Sequence, residues 1–189
     1  MRTKTPFLAD KMLDAAGTLF GAKRYHEVRM DDIAAEAGVS KGTLYRYFKD
    51  KEEMYLALLE QASAKLLDEL RQRVERADSC REQLVGVVDA VVTFFDSHPH
   101  LFDLILRAEL GQDQGKRFPW QEVRAEGSRL VAGIFEEGRA TGEFRVHHPD
   151  TAMLMFLGGM RAVIRMGKRP RPDGLAEQIV DDFLHGAAT

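Results

Sequence analysis

The chain has 189 residues, 44% hydrophobic and 30% charged, which is ordinary for a globular protein and enough to bury a core without covalent staples. A single cysteine, Cys80, excludes an internal disulfide framework and fits a reducing compartment. The net charge of −3 argues against a non-specific nucleic-acid coat protein.

The charge is unevenly placed. Residues 1–51 hold 10 Lys/Arg against 7 Asp/Glu, and the remainder holds 17 against 23. Between Ala37 and Lys49 there is no acid, while Lys41, Arg46 and Lys49 are present. A small basic face on an acidic body suits local phosphate contact. The most apolar stretches, 85–95 and 152–160, fall short of the ~20 residues that span a bilayer. No apolar signal core follows Met1-Arg2-Thr3-Lys4. A soluble cytoplasmic protein is expected.

Helical periodicity dominates, and no stretch alternates as a strand does. A first helix is predicted over residues 7–21, with Leu8, Met12, Ala15, Leu19 and Phe20 on one stripe. A short helix over 30–37 leads into a turn at Gly38-Val39, and a third runs over 41–48. A long fourth helix covers 51–76. Ser79-Cys80-Arg81-Glu82 has the spacing of a reciprocal capping box, so a fifth helix opens there. It ends near His98, because Pro99 cannot continue a helix from inside. Further helices are expected over 101–110, 119–141, 151–166 and 174–185, with Asp150 as N-cap of the eighth. The fold class is all-α, with nine helices: three short ones, then six mostly longer ones.

Residues 31–48 read Asp-Asp-Ile-Ala-Ala-Glu-Ala-Gly-Val-Ser-Lys-Gly-Thr-Leu-Tyr-Arg-Tyr-Phe. Two short helices that cross steeply need a small residue at the crossing, a turn residue tolerating positive φ, and apolar anchors on both sides. Ala34, Gly38, and the set Ile33, Val39 and Leu44 meet those needs in the spacing of a helix-turn-helix. The third helix then offers Lys41, Thr43, Tyr45, Arg46 and Tyr47 without an acidic side chain. It can enter a phosphate-lined major groove without repulsion. Arg46 stands on this helix as a candidate for bidentate contact with guanine.

These residues carry a resemblance. Ala15-Ala16, Leu19-Phe20, Asp32-Ile33-Ala34, Ala37-Gly38-Val39-Ser40, Gly42-Thr43-Leu44-Tyr45, Tyr47-Phe48 and Lys51-Glu52 resemble, in one register without gaps, the DNA-binding region of TetR-family regulators. The resemblance implies a three-helix DNA-binding domain over residues 1–50 and a six-helix ligand-binding and dimerisation domain over 51–189. It implies a homodimer on a palindromic, double-stranded operator, released by a small-molecule effector, with repression the usual outcome. Carried over by position, Lys41, Gly42, Thr43, Tyr45 and Tyr47 face the operator, and Lys51 grips a phosphate.

Two departures from the family pattern stand out. Arg24 stands where a glycine is usual, which predicts a strained end to the first helix. Val28-Arg29 replaces the usual hydroxyl pair and removes a side-chain cap, leaving Arg29 as a further candidate for phosphate or base contact.

In the body, residues 151–166 are apolar on more than one face and must be covered on more than one. Met155, Gly158, Gly159 and Ala162, with Ile179 and Phe183 of the last helix, are the expected dimer face. Phe94, Phe95, Phe102, Trp120 and Phe135 are candidate walls for a largely hydrophobic effector, though each of these types is also common in a core. His98, His100, His147, His148, Asp96 and Asp150 fall at a helix break and in loops. No metalloprotease helix, nucleophile elbow or phosphate-binding glycine loop accompanies them. No enzyme activity, metal or cofactor is expected. A helical small-molecule carrier or partner-binding protein whose helix-turn-helix has lost DNA affinity is the alternative.

Overall fold

The computed structural model describes residues 6–98 and 120–186, and within them the chain is all-α with no strand. Eight helices are present there: α1 (Pro6–Ala22), α2 (Met30–Glu36), α3 (Lys41–Tyr47), α4 (Lys51–Arg76), α5 (Cys80–Ser97), α6 (Trp120–Thr141), α7 (Pro149–Met166) and α8 (Leu175–His185). The helix expected over 101–110, and Phe102 within it, lie outside the described residues. The described chain forms two compact units, the first of residues 6–63, 97–98 and 120 and the second of residues 64–96 and 121–186, so that one boundary falls inside α4 between Ser63 and Ala64.

The first unit is organised by residues that recur at helical spacing. Met12, Ala16 and Phe20 of α1 are buried one turn apart, and Val28, Ile33, Ala34 and Leu44 are buried with them. Met12, Ile33 and Leu44 are fully buried, each worth about 1.5–3 kcal/mol. Helix α1 packs on α2, and α2 on α3. Gly38 makes the turn between α2 and α3 at φ +61°, a conformation that a side chain would resist. The strain expected at Arg24 is absent. No non-glycine residue among those described takes positive φ, and the Arg24 N–H donates to Glu27 Oε2 at 2.9 Å.

In the second unit, Leu84, Val87, Val88 and Phe95 of α5, Val131, Ile134 and Phe135 of α6, and Phe156, Met160 and Ile164 of α7 are buried. Phe135 centres a ring cluster, 5.7 Å from Phe156, 5.6 Å from Phe183 and 5.9 Å from Phe144. Phe144 lies flat on α6 only because residue 138 is glycine: a Cβ there would meet the ring at 2.3 Å.

Charged pairs join the helices of this unit. Arg71 of α4 meets Glu126 of α6, and Arg73 of α4 meets Asp89 of α5 at 2.6 Å. Arg171 Nε and Nη2 donate to Asp96 at 2.9 Å each, and the same guanidinium reaches the carbonyls of Val163 and Ile164 at the end of α7.

Two helix starts differ from expectation. Ser79 Oγ accepts the Glu82 N–H at 3.1 Å as a cap should, but the Glu82 carboxylate reaches back to the Asp78 N–H instead of closing the box on Ser79. Helix α7 has His148 as N-cap and Pro149 in its first position, so Asp150 sits inside the first turn instead of capping it. Proline at that position loses nothing, since its missing N–H has no helical partner.

Candidate nucleic-acid interface

Ser40 starts α3 from extended backbone, and its Oγ accepts the Thr43 N–H at 3.1 Å. The same Oγ lies 2.8 Å from the Thr43 hydroxyl, which fixes that side chain on the first turn. Leu44, Tyr47 and Phe48 are buried, and this stripe anchors the helix. Lys41, Gly42, Tyr45 and Arg46 are left exposed on the other side, with Thr43 half-buried. Nothing lies within 4 Å of a Cβ placed on Gly42, so the backbone there is bare to an approaching ligand.

Tyr45 and Tyr47 therefore separate. Tyr45 is 43% exposed, whereas Tyr47 is 7% exposed. The spacing explains it: Tyr47 lies three residues after Leu44, on the same face, and its ring is an anchor. The Arg46 guanidinium lies 5.8 Å from the Tyr47 ring centroid, so the buried ring backs an exposed cation.

The cations are held differently from one another. Lys41 Nζ lies 2.9 Å from Asp31 of α2. That hydrogen bond and the charge of Asp31 raise the ammonium above its usual range. Lys51 Nζ donates to the carbonyls of Tyr25 at 2.7 Å and Val28 at 3.0 Å and sits 4.4 Å from the Tyr25 ring centroid. Desolvation lowers its ammonium from the usual value. Two of its three donors are thus committed to the segment joining α1 and α2, which leaves one for a phosphate. The Tyr25 ring is in turn held by Phe20 at 5.6 Å and Tyr55 at 5.1 Å. The clamp from Lys51 escaped the sequence reading because its acceptors are backbone carbonyls 26 and 23 positions away.

Arg29 is exposed and stands at the N-cap of α2. Its side chain has no acceptor to offer. Asp32 compensates in part, its Oδ2 accepting the Arg29 N–H at 3.4 Å. The guanidinium stays at the surface, beside the first turn of α2.

Among the described residues, the effector candidates lie on α5 and α6. Phe94 and Phe95 are buried on α5 with their rings 5.5 Å apart. Phe135 is fully buried in the ring cluster. Trp120 opens α6. Of the candidate dimer face, Met155, Gly158 and Gly159 are exposed, Ala162 and Ile179 are half-buried, and Phe183 joins the ring cluster. No group of three metal-ligating side chains occurs among the described residues. Nor is any described helix long and apolar enough to cross a membrane.

Comparison with known proteins agrees with this geometry over both units. Residues 12–58 match the family described as bacterial regulatory proteins, tetR family, and residues 77–187 match the tetracyclin repressor-like C-terminal domain. The HTH-type transcriptional repressor KstR2 of Mycolicibacterium smegmatis is 32% identical over 93% of this chain and 86% of its own length. The fatty acid metabolism regulator protein of Bacillus subtilis is 25% identical over 71% of this chain and 70% of its own. Among solved structures, the transcriptional regulator FadR of Bacillus subtilis in complex with stearoyl-CoA is similar, with a TM-score of 0.71 and 21% identity over 95% of this chain and 99% of that one. The chain belongs to the tetR family of bacterial regulatory proteins.

Proposed function

We infer that the protein is a cytoplasmic transcriptional repressor that binds a palindromic operator as a homodimer and leaves it when a small, largely hydrophobic effector binds. The observation that carries the reading is the exposed face of α3, where Lys41, Gly42, Thr43, Tyr45 and Arg46 stand together without an acid of their own helix. Arg46 and Tyr45 read base edges, while Lys41 exchanges Asp31 for a phosphate. Tyr47 and Lys51 serve mainly by holding this face, with the remaining ammonium donor of Lys51 turned to the DNA backbone. Arg29 adds a contact at the groove edge. The functional division on this reading lies at Lys51, with residues 1–50 for DNA and 51–189 for effector and self-association.

Self-association is supported by α7. Leu154 and Met155 are 66% and 64% exposed, and Gly158 and Gly159 beside them have open space where a Cβ would be. A two-fold dimer through this face presents two recognition helices to two half-sites. The effector is proposed to reach Phe94 and Phe95. Support comes from the relatives, one of them named for fatty acid metabolism and one solved with stearoyl-CoA. The protein acts by binding and not by catalysis.

The test is fluorescence anisotropy of the purified chain on fragments of DNA from around its own coding region. Nanomolar binding to one palindromic fragment, weakened by salt and by stearoyl-CoA, is the expected result. Uniform micromolar binding to every fragment would leave the helical carrier as the better reading.

A further inference from the structure

Helix α3 carries no acid of its own, yet an acid reaches its exposed face from α2. Asp31, in the first turn of α2, takes the Lys41 ammonium between its two oxygens, with Oδ1 at 2.9 Å and Oδ2 at 3.0 Å. Ten positions separate the two residues, so the contact comes from the turn at Gly38 and not from spacing along one helix. The pair lies in water, with the Lys41 side chain 63% and the Asp31 side chain 51% exposed.

The start of α2 does not need this second acid. The neighbouring Asp32 accepts the Arg29 N–H at 3.4 Å, and it also supplies the negative charge that suits the positive end of a helix. Asp31 is turned to the first residue of α3 instead. The other exposed cation of that helix is held differently. Arg46 lies against the Tyr47 ring and forms no ion pair among the described residues.

We propose that Asp31 is a positioning residue that limits DNA affinity: it occupies Lys41 in the free protein, so that a phosphate taken by Lys41 must displace it. The proposal rests on the reading of α3 as the helix that faces DNA. When Lys41 turns to a phosphate, the carboxylate is left without its cation. It then stands within a Debye length, about 8 Å at physiological salt, of the same polyanion. Both penalties fall on every duplex alike, because neither involves a base. A repressor that has to leave its operator is served by a contact weaker than its cations alone would make.

The size of the effect follows from the exposure. An ion pair in water changes an equilibrium constant by up to about fivefold. The full-length protein is measured by fluorescence anisotropy on the palindromic fragment of the preceding test and on a duplex of shuffled sequence. Asp31→Asn should tighten binding to both by about three- to fivefold. Asp31→Glu, which keeps the charge, should return the affinity toward that of the parent chain. In a Lys41→Gln background, Asp31→Asn should change affinity less than about twofold, because the cation it would release is gone.

A second measurement is taken on the parent chain and stands even where a variant folds poorly. The side-chain carboxyl carbon signal of Asp31 in NMR, assigned by its loss in Asp31→Asn, should move on saturation with either duplex. An unmoved signal overturns the proposal, since the pair then stays closed on DNA. Unchanged or weaker binding by a folded Asp31→Asn chain overturns it too. So does equal tightening in the parent and Lys41→Gln backgrounds, which would mean that the carboxylate acts on DNA directly and not through Lys41.

These failures are distinct from failure of the α3 reading. Binding that survives Arg46→Glu removes α3 from the groove. Binding lost in Arg46→Glu but indifferent to Asp31→Asn removes only the role of Asp31.

Discussion

Helices α3 and α7 both leave large side chains in water, but of opposite kinds. On α3 the exposed residues are Lys41, Tyr45 and Arg46 around a bare glycine backbone, and the anchors Leu44 and Tyr47 are hidden. On α7 the hidden set is Phe156, Met160 and Ile164, while Leu154, Met155 and Met166 remain 66%, 64% and 76% exposed. An exposed cation costs nothing in water and waits for a polyanion. Exposed leucine and methionine on one helix cost free energy until another apolar surface covers them. On the proposed reading the two helices meet partners of different physics, one salt-sensitive and one not.

The sharpest way to break that contrast is to reverse the charge of α3. Arg46→Glu should weaken operator binding by about a hundredfold or more, since a base contact worth about 1–3 kcal/mol is replaced by repulsion from phosphate. The slope of affinity against salt should also flatten, and anisotropy at several salt concentrations measures both. An unchanged affinity would remove α3 from the groove.

The matching change on α7 is Leu154→Asp with Met155→Asp. Each side chain buried between subunits is worth about 1.5–3 kcal/mol, so dimer dissociation should strengthen at least roughly tenfold. Sedimentation velocity over a range of protein concentrations reads it, and added salt should restore little. A dimer indifferent to both substitutions would place self-association on another surface.

The smallest effect belongs to neither face and controls for both. Asp96 meets the guanidinium of Arg171, which is 13% exposed. That hydrogen bond holds the Asp96 carboxyl below the usual aspartate range. Its stabilisation is complete above about pH 4, the unfolded value, and is lost as pH falls through the lower folded one. Asp96→Asn should therefore cost about 1–2 kcal/mol near neutral pH by denaturant unfolding. The difference from the parent chain should vanish in acid, and DNA affinity and dimerisation should not move. A difference that persists in acid would assign the loss to shape and not to charge.

Much of this architecture was legible because helix limits are written in single residues. Ser79 caps α5 where its spacing says, and α5 ends at Ser97, ahead of Pro99. Position 150 misled because two start signals stand side by side. Aspartate favours the N-cap, but the proline before it fits the first helical position, and the ring won. The recognition motif was legible as a pattern of small and apolar residues, yet the same pattern did not separate Tyr45 from Tyr47. Both look alike in a string, and only the three-residue interval from Leu44 tells which ring turns inward. Side chains that bind distant carbonyls, as Lys51 does, leave no trace in local spacing.

Cys80 offers an experimental opening. It is the chain's single cysteine, it is 4% exposed, and burial, aided by Glu143, pushes its thiol up to about 11. At pH 7 roughly one molecule in ten thousand carries the reactive thiolate. The natural chain is therefore nearly silent to maleimide and methanethiosulfonate reagents. A cysteine introduced at an exposed position of α3 would take a spin label alone, and in the proposed dimer dipolar spectroscopy of the two labels would report the span between recognition helices with and without the proposed effector.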